Sequence, residues 1–285
     1  MFCSAKATAK HFKLQEKTKA LLCLPAHYIA GKMMLVRAMV LGWHIDMALP
    51  SINPLDSVYR RYDFCAMTPM QLDNSLSRLH LLKKLIVGGG AISVSLVRKV
   101  QHISTKIYET YGMTETVTHI AARRINPKKQ KEFPVPFKTL SKVTINKDNR
   151  GCLVIKAPKV STDPVITNDL VEVLTYKKFI WLGRIDNVIN SGGIKLYPEQ
   201  IEDKLASLIE VPFFISSLPD DTLGEQLVLF VEQEDTFNFK ITEVDKEVFG
   251  IYEFPKKIIS IPLFHRTKSG KVQRGITVKK YLENI

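Results

Sequence analysis

The stretch Tyr108-Glu109-Thr110-Tyr111-Gly112-Met113-Thr114-Glu115-Thr116, written YETYGMTET, puts an aromatic, a glycine, hydroxyls and a carboxylate within a few residues of one another. A solvated turn accounts for Gly112 and the threonines. It does not account for the apolar run ahead of them. Upstream, Leu81 to Gly90 (LLKKLIVGGG) is an apolar run stopped by three glycines, and Ile107 to Gly112 repeats the plan of a strand ending in glycine. The helix-capable segment Ser93 to His102 lies between the two. This order describes an α/β unit whose strand C-termini face one crevice.

Further upstream, Ala20 to Pro25 (ALLCLP) reads as a short buried strand. Gly31 to Val40 (GKMMLVRAMV) is apolar around most of a helix surface, so Arg37 must find a partner inside. Beyond Pro127 the texture becomes β-rich. Lys142–Asn146, Cys152–Lys156, Leu170–Leu174 and Phe179–Leu182 are short strands separated by Asn, Asp, Gly and Pro, which suggests a small antiparallel barrel or sheet. Ser191-Gly192-Gly193 is a tight turn, and Pro198 opens an amphipathic helix with Ile201, Leu205 and Leu208 on one face. The expected architecture is an α/β large domain over 1–186, with an α/β part to about 125 and a β-rich part from about 126, and a smaller α+β domain over 187–285.

Composition narrows the function classes. The 285 residues are 45% hydrophobic and 24% charged, enough for two globular cores. Forty-one Lys and Arg against 28 Asp and Glu give a net charge of +13. That charge is spread, concentrated only in runs such as Asn126-Pro127-Lys128-Lys129-Gln130-Lys131, without the aromatic interleaving that tracks a nucleic-acid strand. A nucleic-acid partner therefore rests on charge alone and is not expected. Cys3, Cys23, Cys65 and Cys152 are widely separated, as for reduced thiols in a cytoplasmic protein rather than a disulfide framework or zinc site. No signal peptide or bilayer-length apolar run is present, so no membrane partner is expected.

Taken in order, Gly88-Gly89-Gly90-Ala91, YGMTET, Thr167-Asn168-Asp169, GRIDNVINSGGIKLYPEQIE, PDDTLGEQ and RTKSGKVQR resemble the motifs of the acyl-adenylate-forming superfamily. Each alone is weak; six in sequence are specific. Within that superfamily, LPAHYIAGKMMLVRAM, MTPMQL and YGMTETVTHIA are most similar to o-succinylbenzoate-CoA ligases of menaquinone biosynthesis. The resemblance runs over nearly the whole chain. It implies an AMP-forming acid-CoA ligase that uses ATP, Mg²⁺ and CoA on a small-molecule carboxylic acid. The large domain would be incomplete, and 187–285 would be a mobile lid.

Residue roles follow from the resemblance, each beside an ordinary structural alternative. Glu115 matches the Mg²⁺ carboxylate, and is equally a carboxylate at a helix start. Thr114 matches the hydroxyl donor to the α-phosphate. Tyr111, with Gly112 and Met113, matches the adenine site closed on the other side by Gly89, Gly90 and Ala91; the alternative for Tyr111 is a core aromatic. Asp169 and Arg184 match the ribose contacts, or form a surface ion pair. Asn168 stands where glycine is usual and is expected to share its left-handed backbone. Lys271 matches the C-terminal adenylation lysine, Asp186 the hinge, and Ser191, Gly192 and Gly193 the loop of the CoA step.

Arg37 bears on substrate choice: its partner is either the second carboxylate of an aromatic diacid or an internal Asp or Glu. His27 and Tyr28 compete for one place in the acyl pocket, and His119 is either pocket-lining or a satisfied core histidine. The family's phosphate loop is expected ahead of the LP…G segment and is not found in this sequence. That leaves open a truncated ligase or a degenerate non-catalytic relative that binds nucleotide or acyl-CoA, and a CoA ligase for another aromatic or fatty acid is the alternative on the substrate side. It also implies uncovered apolar surface, which leaves homo-oligomer formation open.

Overall fold

The computed structural model describes residues 1–127, 134–206, 208–235, 249–267 and 272–283, and divides into two compact units. The first comprises Met1–Thr167 and Val171–Trp181; the second comprises Asn168–Leu170 and Leu182–Ile285. The division thus falls at Trp181/Leu182, with a three-residue excursion in mid-strand, where the sequence placed it at Asp186.

The first unit is organised by one sheet. Parallel strands β1 (Lys19–Leu22), β2 (His44–Met47), β3 (Tyr62–Met67), β4 (Leu82–Val87) and β5 (Lys106–Gly112) lie in the order β2-β1-β3-β4-β5. The antiparallel strands β6 (His119–Arg124), β7 (Phe137–Thr139), β8 (Thr144–Lys147), β9 (Cys152–Lys156), β10 (Val165–Thr175) and β11 (Lys178–Arg184) continue it as β6-β7-β11-β10-β9-β8. The β-rich region of the sequence is this antiparallel arm, with its own core around Phe137, Leu153, Ile155 and Phe179.

The inner parallel strands β1, β3 and β4 place apolar residues on both faces because both are covered. Leu21, Cys23, Cys65, Met67, Leu85 and Val87 join one core cluster; Ala20, Leu22, Phe64, Ala66 and Ile86 join the other. That alternation is the period of two along a strand. Helix α1 (Phe2–Phe12) and α2 (Ile29–Leu41) pack together, and Phe12, Met34 and Ala38 enter the second cluster. Helix α3 (Pro69–Asn74) starts at a capping box made by Thr68 and Gln71, and α4 (Val94–Lys99) at Ser93, whose hydroxyl accepts from the Leu96 N–H at 3.2 Å. Both helices begin just past strand ends, so the chain turns at the C-terminal edge of the sheet.

The second unit holds a hairpin of β12 (Ile189–Ser191) and β13 (Ile194–Leu196), then α5 (Pro198–Leu205), β14 (Phe213–Asp220), β15 (Gly224–Glu232), β16 (Lys257–Ile261) and α6 (Arg274–Glu283). Its strands run β13-β12-β15-β14, with β16 parallel to β15. Gly192 and Gly193 both have positive φ, 57° and 81°, which is what a two-residue hairpin between Ser191 and Ile194 requires. Ile201 and Leu205, fully buried, fix α5 on this sheet.

Candidate functional site: the strand ends and a buried cation

The C-terminal edge of the parallel sheet gathers the predicted residues of the first unit. The Thr110 hydroxyl donates to the Val87 carbonyl at 3.0 Å, tying the signature strand to the glycine turn Gly88-Gly89-Gly90. Gly89 has φ 86°, and a Cβ there would meet nothing within 4 Å. Ala91 is exposed beside it. Gly112 is required for another reason: a Cβ would lie 2.5 Å from the His119 Cα, because β5 and β6 close together at a register shift at Tyr111/Gly112. Tyr111 is half-buried, its ring 5.2 Å from Phe179 and 5.8 Å from Phe137 between centroids. It packs at the margin of the antiparallel arm's core.

After Gly112 the chain makes a single 3₁₀ turn, Thr114–Thr116. Buried Thr116 locks it by accepting from the Met113 N–H at 3.1 Å, while Thr114 and Glu115 stay exposed. Among the described residues no group of three or more His, Cys, Asp or Glu is placed to hold a metal ion. Glu115 is a single exposed carboxylate, a donor that fits Mg²⁺ held mainly by phosphates and water.

Behind that turn lies a feature that only the fold reveals. Arg37 is 2% exposed, and among the described residues no carboxylate pairs with it. Its Nη1 meets the Met34 sulfur at 3.6 Å, its Nη2 donates to the Thr118 hydroxyl at 3.2 Å, and its Nε has no hydrogen-bond partner. Burial pulls its pKa down to about 10. Thr118 in turn lies 3.2 Å from His119 Nδ1, and His119 Nε2 lies 3.4 Å from the Thr8 hydroxyl, which donates to the Ser4 carbonyl at 3.0 Å. Desolvation first, then the Arg37 and His11 charges, hold His119 well below the usual imidazole range. With His119 neutral and protonated on Nε2, the donors and acceptors run in one sense from Arg37 through Thr118, His119 and Thr8 to Ser4. Thr118 and Thr8 carry no sequence signal of this role.

His27 and Tyr28 are both exposed at the start of α2, their rings 4.2 Å apart, so neither is buried in preference to the other. In the second unit, Arg184 Nη2 donates to Asp186 at 2.6 Å, and Arg184 Nη1 reaches Asp169 at 3.9 Å. Asn168 is extended in β10, not left-handed, and its amide bonds both Asp186 oxygens at 3.2 and 3.3 Å. The left-handed backbone expected there is replaced by this side-chain contact to the predicted hinge residue. Lys271 lies outside the described residues.

Residues 1–161 match the model of the family described as AMP-binding enzyme, which is more than half of the chain. The chain belongs to the AMP-binding enzyme family. Its sequence is 25% identical to the 2-succinylbenzoate--CoA ligase of Staphylococcus epidermidis over 95% of this chain and 63% of that protein, so it spans less than two thirds of that relative's length. Among solved structures, an acyl-CoA synthetase (AMP-forming)/AMP-acid ligase II-like protein from Dyadobacter fermentans is 35% identical, with a TM-score of 0.63, over 98% of this chain and 83% of that one. O-succinylbenzoate coenzyme A synthetase from Bacillus subtilis, in complex with ATP and magnesium ion, gives a TM-score of 0.82 at 20% identity over 97% of this chain and 65% of that one. This last likeness shows the adenylate-forming fold. No helix among the described residues is long and apolar enough to cross a membrane.

Proposed function

We propose that this chain carries the acyl- and nucleotide-binding part of an AMP-forming acid-CoA ligase acting on an aromatic diacid, o-succinylbenzoate. Family membership supports the reaction class: a carboxylate attacks the α-phosphate of ATP, pyrophosphate leaves, and the CoA thiol then displaces AMP from the acyl-adenylate. Arg37 supports the substrate. A guanidinium withdrawn from water without a carboxylate is unfavourable unless an anion is delivered to it, and o-succinylbenzoate keeps an aromatic carboxylate after its succinyl end reacts.

In this reading Thr114 donates to the α-phosphate and Tyr111 lines the adenine site with the Gly89-Gly90-Ala91 and Gly112-Met113 backbones. Asp169 and Arg184 take the ribose. Mg²⁺, when bound, supplies charge neutralisation at the phosphates, and Glu115 is its protein ligand. Lys271 serves adenylation, Asp186 is the hinge, and Ser191-Gly192-Gly193 serve the CoA step.

The test is calorimetric binding of AMP and of a non-hydrolysable o-succinylbenzoyl-adenylate analogue to the chain, followed by CoA thioester formation from supplied o-succinylbenzoyl-AMP. The analogue is expected to bind at least about tenfold tighter than AMP, the two sites being linked covalently. Equal binding would remove the diacid from the proposal, and binding of neither would remove the ligase. In a version of the chain supplied with the family's N-terminal phosphate loop, Lys271→Ala is expected to slow adenylation far more than thioester formation.

A further inference from the structure

Val117 has φ 64° and ψ −43°, and the Thr118 N–H closes onto the Thr116 carbonyl at 2.7 Å. That is the rare γ-turn of positive φ, a strained conformation for any side chain and more so for a β-branched one. Glycine is the residue that would relieve it. The strain is held by its surroundings: Thr116, fully buried, is bonded to Met113, and the Val117 N–H is bonded to the Thr114 carbonyl at 2.9 Å. Strain held so firmly beside a candidate site points to a function for the residue it aims. That residue is Thr118. Its oxygen accepts from Arg37 Nη2 while its hydroxyl faces His119 Nδ1.

We propose that the Val117 turn and Thr118 are a positioning device for Arg37, fixing the guanidinium so that its unpartnered Nε edge receives the non-reacting carboxylate of an aromatic diacid. This rests on the proposed substrate class, and it assigns specificity to two residues that touch neither the reacting carboxylate nor the nucleotide. The geometry makes the roles separable. Thr8 spends its hydroxyl hydrogen on the Ser4 carbonyl and so accepts from His119 Nε2, which leaves Nδ1 to accept the Thr118 hydroxyl; neutral His119 thus orients Thr118, and Thr118 orients Arg37. An acid with no second carboxylate makes no use of this chain of contacts.

The experiment compares calorimetric affinity of the 285-residue chain for o-succinylbenzoate and for 4-oxo-4-phenylbutanoate, which lacks the aromatic carboxylate. It uses wild type, Thr118→Val, Thr118→Ser and Val117→Gly, with the nitrogen-15 shifts of His119 recorded in each. Wild type is expected to prefer the diacid, with His119 protonated on Nε2. Thr118→Val, nearly the same in shape, should weaken the diacid roughly tenfold, the size of one lost charge-assisted hydrogen bond, and leave the monoacid unchanged. Thr118→Ser should restore the preference. Val117→Gly should keep thermal stability and lose discrimination. Equal weakening of both acids by Thr118→Val, a wild type that does not distinguish them, or a His119 protonated on Nδ1 would overturn the proposal. Discrimination that follows this pattern without any thioester formation would uphold the device and overturn the ligase reading alone.

Discussion

Each unit turns an arginine inward, Arg37 buried at 2% exposure and Arg274 half-buried with a quarter of its side chain exposed, and the two are treated oppositely. Arg37 in the first unit has a threonine, a methionine sulfur and a neutral histidine around it, and no carboxylate among the described residues. Arg274 in the second unit has two carboxylates from one face of α5: its Nη2 donates to Glu202 at 2.6 Å and its Nη1 lies 3.7 Å from Glu199. Glu202 also accepts the Ile215 N–H at 2.7 Å, and Glu199 accepts from Asn187 at 2.5 Å. A charge that faces carboxylates belongs to the fold. A buried charge without them is a deficit in the empty protein that an anionic ligand removes. The titratable neighbours carry the same distinction with opposite sign. Burial, only partly offset by Arg274, lifts Glu202 to about 7, whereas burial and Arg37 push His119 down.

The largest effect should come from breaking the paired site. Arg274→Leu leaves two carboxylates facing each other and is expected to destabilise the second unit by about 4 kcal/mol at pH 8. Amide exchange in β14 and β15 reads this out, while β1, β3 and β4 keep their protection. Comparable loss in both units would mean that the clusters are not independent.

Glu202 comes next. Its folded pKa lies above the ordinary carboxylate value of 4.5, so its contribution to stability is full below that pH and is lost as pH rises through about 7. The loss is up to about 3 kcal/mol by pH 8. Glu202→Gln should flatten this slope, since glutamine still accepts from Arg274 and Ile215; an unchanged slope would show that another group carries it.

The smallest effect is that of His119, with the reverse sign. Its folded pKa lies below 6.5, so its contribution is present above that value and is lost as pH falls. His119→Gln should recover about 1 kcal/mol in the first unit near pH 5.5, where the unfolded imidazole is protonated and the folded one is not. His11, also held low by burial, keeps a residual slope. A variant as acid-sensitive as wild type would locate the effect in His11 alone.

The sequence was legible where local rules decide the outcome. Strands ending in glycine at Val87 and Gly112, a helix within Ser93–His102 and the Ser191-Gly192-Gly193 turn follow from periodicity and turn chemistry, and all are present in the structure, the helix over Val94–Lys99. A buried Arg37 followed from an all-apolar helix. What surrounds it did not, because Thr8 and the adjacent pair Thr118 and His119 come from two separated parts of the chain, both distant from Arg37, and are ordinary polar residues until the fold brings them together. Asn168 shows the same limit. Its substitution for glycine suggested a backbone reason, whereas its side chain reaches Asp186, eighteen positions away. The strain at Val117 was invisible, since valine is a strong strand former and nothing local announces positive φ.

Whether Arg37 is buried for a ligand or for the fold is decided by Arg37→Met, which keeps roughly the volume of the side chain and removes its charge. Thermal stability of the ligand-free chain and calorimetric affinity for o-succinylbenzoate are measured on the same preparation. The variant is expected to be at least as stable as wild type, because an uncompensated buried cation has been removed, with affinity weakened by roughly 1.5–3 kcal/mol for the lost charge-assisted bond. A destabilised variant that binds the diacid as wild type does would contradict that expectation.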